Sequence, residues 1–127
     1  MFLLDTSVAI ELRDAAAGIT EKVETLDGPL VLSIITKIEL ERGIQRVPAD
    51  AHIRRQRLDA ILEMLPTIAF DDQAADVYRS IIEAVGFSRR KMADRMIASQ
   101  ALVADATLVT LNPSDFRDIP GLKLLGW

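Results

Sequence analysis

Met1-Phe2-Leu3-Leu4-Asp5-Thr6-Ser7-Val8-Ala9-Ile10 is the stretch on which the reading of this chain turns. An apolar run, Phe2-Leu3-Leu4, stops at the carboxylate of Asp5. Two hydroxyls, Thr6 and Ser7, follow before apolar residues resume. The pattern predicts a buried strand that ends at Asp5 and turns at once into a helix. In open α/β sheets ligands bind beyond the carboxyl ends of strands, so Asp5 stands where chemistry is commonly placed. An aspartate ahead of a helix also has an ordinary job, accepting a bond from a backbone N–H as a cap. The rest of the chain decides between the two.

Past this opening, short apolar runs alternate with longer helical patterns, which predicts strand–helix units and a mainly parallel sheet. Helices are expected over Thr6–Asp14 and Ala16–Leu26, and Asp27-Gly28-Pro29 is turn chemistry. A strand follows at Leu30–Leu32, then a helix to about Ile44 that Gly43 weakens. Asp50 is a candidate cap for a helix in which Ile53, Leu58, Ile61, Leu62 and Leu65 recur at helical spacing. Pro66 stops it, Thr67–Phe70 reads as a third strand, and Asp71 or Asp72 caps a helix that Gly86 ends. A small-residue helix carries Ala93, Ile97, Ala98, Ala101 and Leu102. Ala106–Leu111 is a fourth strand and Leu122–Leu125 a short last one.

The chain has 127 residues, half of them hydrophobic, with mean hydropathy +0.20. That is enough for the core of a single domain over residues 1–127 without cross-links. Cysteine is absent, which removes disulfides, zinc–thiolate sites and thiol nucleophiles together. No apolar run approaches the ~20 residues that span a bilayer, and no signal-peptide pattern is visible. The expected compartment is cytoplasmic, with no membrane partner. A net charge of −4 argues against holding nucleic acid by bulk positive charge. It is compatible with a nuclease whose acids are offset by bound cations.

Three more acids share the placement of Asp5. Glu39 lies inside the helix after the second strand, flanked by Ile35, Ile38 and Leu40; Asp94 opens the small-residue helix; Asp115 follows the fourth strand after Asn112-Pro113-Ser114. Each has an ordinary reading: a solvated helix glutamate, an acid at the positive end of a helix dipole, a turn former. Strand-end and helix-start positions in a parallel α/β chain can nevertheless converge on one sheet edge. Carboxylates gathered there repel one another and call for cations, and all-oxygen ligation suits Mg²⁺ or Mn²⁺. Such ions activate water and neutralise charge building on a phosphodiester.

With these residues in view the sequence resembles the PIN-domain ribonucleases, and among them the VapC-type toxins of bacterial toxin–antitoxin pairs. The resemblance is carried by LLDTSV, SIITKIELERG, ADRMIASQAL and TLVTLNPSDFRDIPGLKLLGW, which are spread over essentially the whole chain. It implies a three-layer α/β fold with about five mainly parallel strands and helices on both faces. It implies a Mg²⁺-dependent (or Mn²⁺-dependent) endoribonuclease that hydrolyses RNA with metal-activated water, forms homodimers and is blocked by a cognate antitoxin. The family's metal-binding and catalytic acids fall on Asp5, Glu39, Asp94 and Asp115. Asp5 and Asp94 are expected to bind one ion, and Glu39 and Asp115 directly or through water. Some relatives carry the last acid where this chain has Asn112, so either residue can supply the fourth ligand. Thr6 matches a hydroxyl beside the first aspartate that orients a ligand or water.

Basic residues form two groups. Arg54, Arg55 and Arg57 read as a solvated helix face, whereas Arg89, Arg90 and Lys91, just ahead of Asp94, are candidates for RNA contact. His52, the only histidine, lies among the first group and is not expected in catalysis. An aromatic content of 5 % is too low for a broad base-stacking platform. Ile19, Val23 and Leu26 read as core, or as a groove for an antitoxin helix together with the helix from Asp50. Three rivals stand beside the nuclease. A receiver-type phosphorylation domain would use Asp71 as phosphoacceptor, but it wants an acidic pair after the first strand and a late lysine. A phosphatase using Asp-x-Asp is contradicted by Ser7 in the third place. A catalytically silent PIN-like module that only binds a partner would have no use for all four acids.

Overall fold

The computed structural model describes residues 1–127. In chain order it comprises β1 (Phe2–Leu4), α1 (Thr6–Arg13), α2 (Ile19–Glu24), β2 (Leu30–Ser33), α3 (Ile34–Gly43), α4 (Ala51–Met64) and β3 (Thr67–Ile68). Then follow α5 (Asp72–Val85), α6 (Met92–Val103), β4 (Thr107–Thr110) and β5 (Lys123–Gly126), with 3₁₀ turns at Pro48–Asp50 and Pro113–Asp115. The five strands form one sheet in the order β3-β2-β1-β4-β5, and every pairing is parallel. Parallel neighbours require long crossovers. The helix pairs α1–α2, α3–α4 and α5–α6 supply the first three.

The adjacent leucines of β1 explain the three layers. Successive strand residues face opposite sides of a sheet, so Leu3 and Leu4 found separate cores. Leu3 lies level with Val31 and Leu108 and packs with Ile81, Ile97, Ala98, Ala101 and Phe116. Leu4 lies level with Leu32 and Val109 and packs with Val8, Ala9, Leu40, Ile44 and Leu58. Each fully buried leucine stabilises the fold by roughly 1.5–3 kcal/mol relative to an exposed one. Ala98 and Ala101 keep α6 close to the sheet.

Several elements differ from expectation. Helix α2 begins only at Ile19, because Gly18 ahead of it adopts a left-handed conformation (φ 86°) and Ala15 does likewise (φ 54°). Strand β3 stops at Ile68 rather than Phe70: it pairs with β2 alone, and β2 ends opposite it at Ser33. Asp50 stands at the N-terminal boundary of α4, but the preceding 3₁₀ turn runs straight into the helix and its side chain makes no cap bond. Asp71 does cap α5, accepting from the Ala74 N–H at 2.9 Å. Gly86 (φ 82°) ends that helix.

The strand order fixes where a site can form. From β1 the chain steps outward to β2 and β3, then returns across the sheet to β4 on the other side of β1. The carboxyl ends of β1 and β4 therefore flank the point where the direction reverses, the position at which open α/β sheets bind ligands.

Candidate active site

Asp5 lies at that point. It begins α1, yet its side chain makes no cap bond with the helix. Instead Oδ2 accepts from the hydroxyls of Ser7 at 2.9 Å and Thr110 at 2.8 Å. Thr110 is the last residue of β4, and Ser7 Oγ in turn accepts from the Leu111 N–H at 3.1 Å. Asp5 is 3 % exposed, and its second oxygen, Oδ1, is buried without any hydrogen-bond partner. A buried carboxylate oxygen with no donor is costly. The aspartate has thus been withdrawn from its ordinary capping job.

Glu39 comes from the middle of α3. Thr6 Oγ1 donates to Glu39 Oε1 at 2.8 Å and lies 2.9 Å from Thr36 Oγ1. Thr6 therefore orients this carboxylate, supported by the fully buried Thr36. Asp94 sits in the first turn of α6. Its carboxyl is pushed up from 3.8 to about 6, by burial first and then by the charges of Asp5, Asp115 and Glu39, with Lys91 opposing. Three other segments, distant in sequence, thus place their acids within electrostatic reach of the Asp94 carboxyl. Asp115 ends the 3₁₀ turn after β4. Asn112, at the boundary of that turn, is exposed and makes no cap bond with its side chain.

The turn carrying Asp115 is braced by β5. A Cβ placed on Gly126 would lie 2.8 Å from Cγ and 2.9 Å from Cβ of Pro113, a close approach that only glycine permits. The neighbouring Trp127 N–H donates to Thr110 O at 2.8 Å.

As the side chains lie, no three histidine or acidic groups form a ready-made ligand set. Like charges kept in one cleft repel one another, and the neighbouring acids raise Asp94 for that reason. The donors are all oxygen, which suits a hard divalent ion rather than a soft one. The partnerless Asp5 Oδ1 and the raised Asp94 are the groups that a cation would relieve.

The remaining candidates separate cleanly. Arg89 and Arg90 are exposed, and Lys91 is near enough to oppose the rise of Asp94. The run Arg54–Arg57 is not uniformly solvated. Arg55 pairs with Glu41 and with Asp59, while Arg54 donates to the Gly43 carbonyl at 3.0 Å. His52 is exposed on α4, away from the acids in sequence and partnerless. Asp71 is occupied as a helix cap, which removes the phosphoacceptor of the receiver reading. The positioning hydroxyls of Thr36 and Thr110 escaped the sequence reading, and Ser7 was visible only as a hydroxyl beside Asp5. Their one signal is a lone hydroxyl at a strand end or on a buried helix face.

Comparison with known proteins gives a consistent picture. A family model described as PIN domain matches residues 2–122. Ribonuclease VapC2 of Rickettsia felis is 28 % identical over 133 residues, covering 100 % of this chain and 98 % of that protein. A chain in the crystal structure of VapBC2 from Rickettsia felis bound to a promoter DNA fragment superposes with TM-score 0.86. It is 26 % identical, over 99 % of this chain and 98 % of that one. A chain of DNA-bound VapBC from Salmonella typhimurium gives TM-score 0.85 at 26 % identity, over 99 % and 97 % of the two chains.

Proposed function

We propose, for a chain that belongs to the PIN domain family, that it is a Mg²⁺-dependent endoribonuclease, with Mn²⁺ as a substitute, and the toxin of a toxin–antitoxin pair. The observation that carries this reading is the coupling of Asp5, Glu39 and Asp115 to Asp94 at the sheet's reversal point. The kinship to a curated ribonuclease over the full chain supports the substrate class.

Asp5 and Asp94 would hold the cation, with Glu39 and Asp115 binding directly or through water. When bound, the ion supplies a nucleophilic water at neutral pH and neutralises charge on the phosphoryl group. The chain's own residues prepare for this. Ser7 and Thr110 fix one oxygen of Asp5 and leave the other unengaged. Thr6 holds Glu39 in one rotamer, and Gly126 seats the turn that bears Asp115. Burial keeps water away from Asp5 and strengthens its attraction for cations.

A second surface supports the partner. Leu12, Val23, Leu26, Ile61, Met64 and Leu65, from α1, α2 and α4 and their flanking residues, line an apolar groove of about 470 Å³. Met64 at its rim is 80 % exposed. An amphipathic antitoxin helix is the natural occupant of such a groove. The chain acts as a homodimer in this reading, and the whole of residues 1–127 forms one domain.

The test is cleavage of structured RNAs by purified protein in Mg²⁺ or Mn²⁺, against a chelator control. Cleavage should vanish on chelation and in Asp5→Asn, with the circular dichroism spectrum of the variant unchanged. Full activity in Asp5→Asn refutes the assignment. Absence of cleavage in every metal, with partner binding intact, selects the silent module.

A further inference from the structure

A second cleft adjoins the acids, and nothing above gives it a role. It is a mostly polar depression of about 270 Å³ between α1, α3 and α4. Thr6 and Glu39 form the wall it shares with the acidic site, and Arg13, Arg42, Arg46 and Arg54 line the remainder. Asp14 and Glu39 are the acids in its lining, so four guanidiniums face two carboxylates in a chain whose net charge is −4. The positive charge is local and lies beside the proposed cleavage site.

The cleft is built around Arg13. This side chain is 5 % exposed, an unusual state for a charge. Its Nε and Nη2 donate to Asp14 at 3.0 and 3.3 Å, and Nη1 donates to nothing in the chain. Gly43 meets it from the facing helix. Its carbonyl accepts from Arg54 Nη1 at 3.0 Å, and a Cβ built on it would lie 3.5 Å from Arg13 Nη1. Two guanidiniums from different helices thus share one depression, with the exposed Arg42 and Arg46 at its margin.

We propose that this cleft binds a backbone phosphate of the RNA strand, next to the phosphodiester that is cut, and so sets which way the strand lies across the acids. Guanidinium groups present planar, paired donors that match phosphate oxygens. A depression below the size of pockets that enclose drug-sized ligands suits a phosphate and little more. A held phosphate on one side of the acids gives the strand a fixed polarity without reading a base. The inference rests on the ribonuclease reading.

The experiment measures binding of a short fluorescein-labelled single-stranded RNA of mixed sequence by anisotropy, in chelator, over a range of salt. Arg42→Ala with Arg46→Ala removes two exposed side chains that make no contact needed for folding. Binding should weaken roughly tenfold, and the slope of log affinity against log salt should fall by about 0.7, one phosphate contact on a single strand. Arg13→Lys keeps the charge but loses the paired donors and should weaken binding also. Arg79→Ala, which removes an exposed arginine on α5, is the control and should leave affinity and slope at the wild-type values. An unchanged affinity and slope in the Arg42, Arg46 variant, with wild type still cleaving RNA in Mg²⁺, overturns the inference and leaves the ribonuclease reading standing. No RNA binding or cleavage by wild type in any metal defeats both. With labelled polyglutamate as a second probe, loss of its binding in the Arg42, Arg46 variant while RNA binding stays intact assigns the cleft to an acidic partner segment and overturns the proposal.

Discussion

Asp94 carries a charge penalty that can be measured without any substrate. Its carboxyl is raised from 3.8 to about 6 in the fold, so the folded state holds that proton more tightly than the unfolded chain. Below pH 3.8 both states are protonated and the group costs nothing. Between 3.8 and about 6 the unfolded chain gives up its proton first, and stability falls as pH rises. Two units of pKa correspond to about 3 kcal/mol, reduced to about 1 kcal/mol for a group that solvent screens in part. Asp94→Asn should therefore stabilise the cation-free protein by about 1 kcal/mol at pH 7.5 and gain nothing at pH 3.5, read by urea unfolding in chelator. The sequence made the acids legible because strand-end and helix-start carboxylates stand out against apolar runs. It left Asp115 and Asn112 open as the fourth donor. In the fold Asp115 reaches Asp94 electrostatically, and the Asn112 side chain makes no cap bond.

Elements bring these residues together, and contacts between elements were the least legible part. Arg13, Arg42, Arg46 and Arg54 make no run in the sequence, whereas Arg54, Arg55 and Arg57 do. The fold splits that run between a cleft and a surface ion pair, because neighbours on a helix point in different directions. Helix α2 was overextended for a related reason: alanines around Gly18 favour helix, but the chain has to turn there with positive φ. Gly126 shows the same dependence on tertiary contact. Gly126→Ala drives a methyl against the stiff Pro113 ring and should cost about 1–3 kcal/mol of stability. Because Pro113 opens the turn that ends in Asp115, the cleavage rate per folded molecule should fall as well, measured at a temperature where the variant remains folded. Unchanged rate and stability would mean that β5 does not seat the turn.

The molecule as a whole was the most legible. Alternating short strands and helices predicted the mainly parallel sheet and the resemblance implied helices on both faces, while the separate cores under Leu3 and Leu4 came from the structure. Since the acids come within electrostatic reach of one another only when all layers are in place, a divalent ion should bind the folded form alone. Mg²⁺ at about ten times its dissociation constant should stabilise wild type by about 1.4 kcal/mol, and Asp5→Asn should lose that gain; equal gains in thermal unfolding would count against the shared site. The placing of β1 has a further effect on biosynthesis. It is made before its neighbour β4, with β2, β3 and all six helices synthesised between them. A nascent chain can zip β1 to β2 early but has no Thr110 to orient Asp5, and no Asp115, until β4 and the turn after it have been made. A product cut short before β4 consequently lacks both Asp115 and one support of Asp5, and its remaining acids have no finished cleft to occupy.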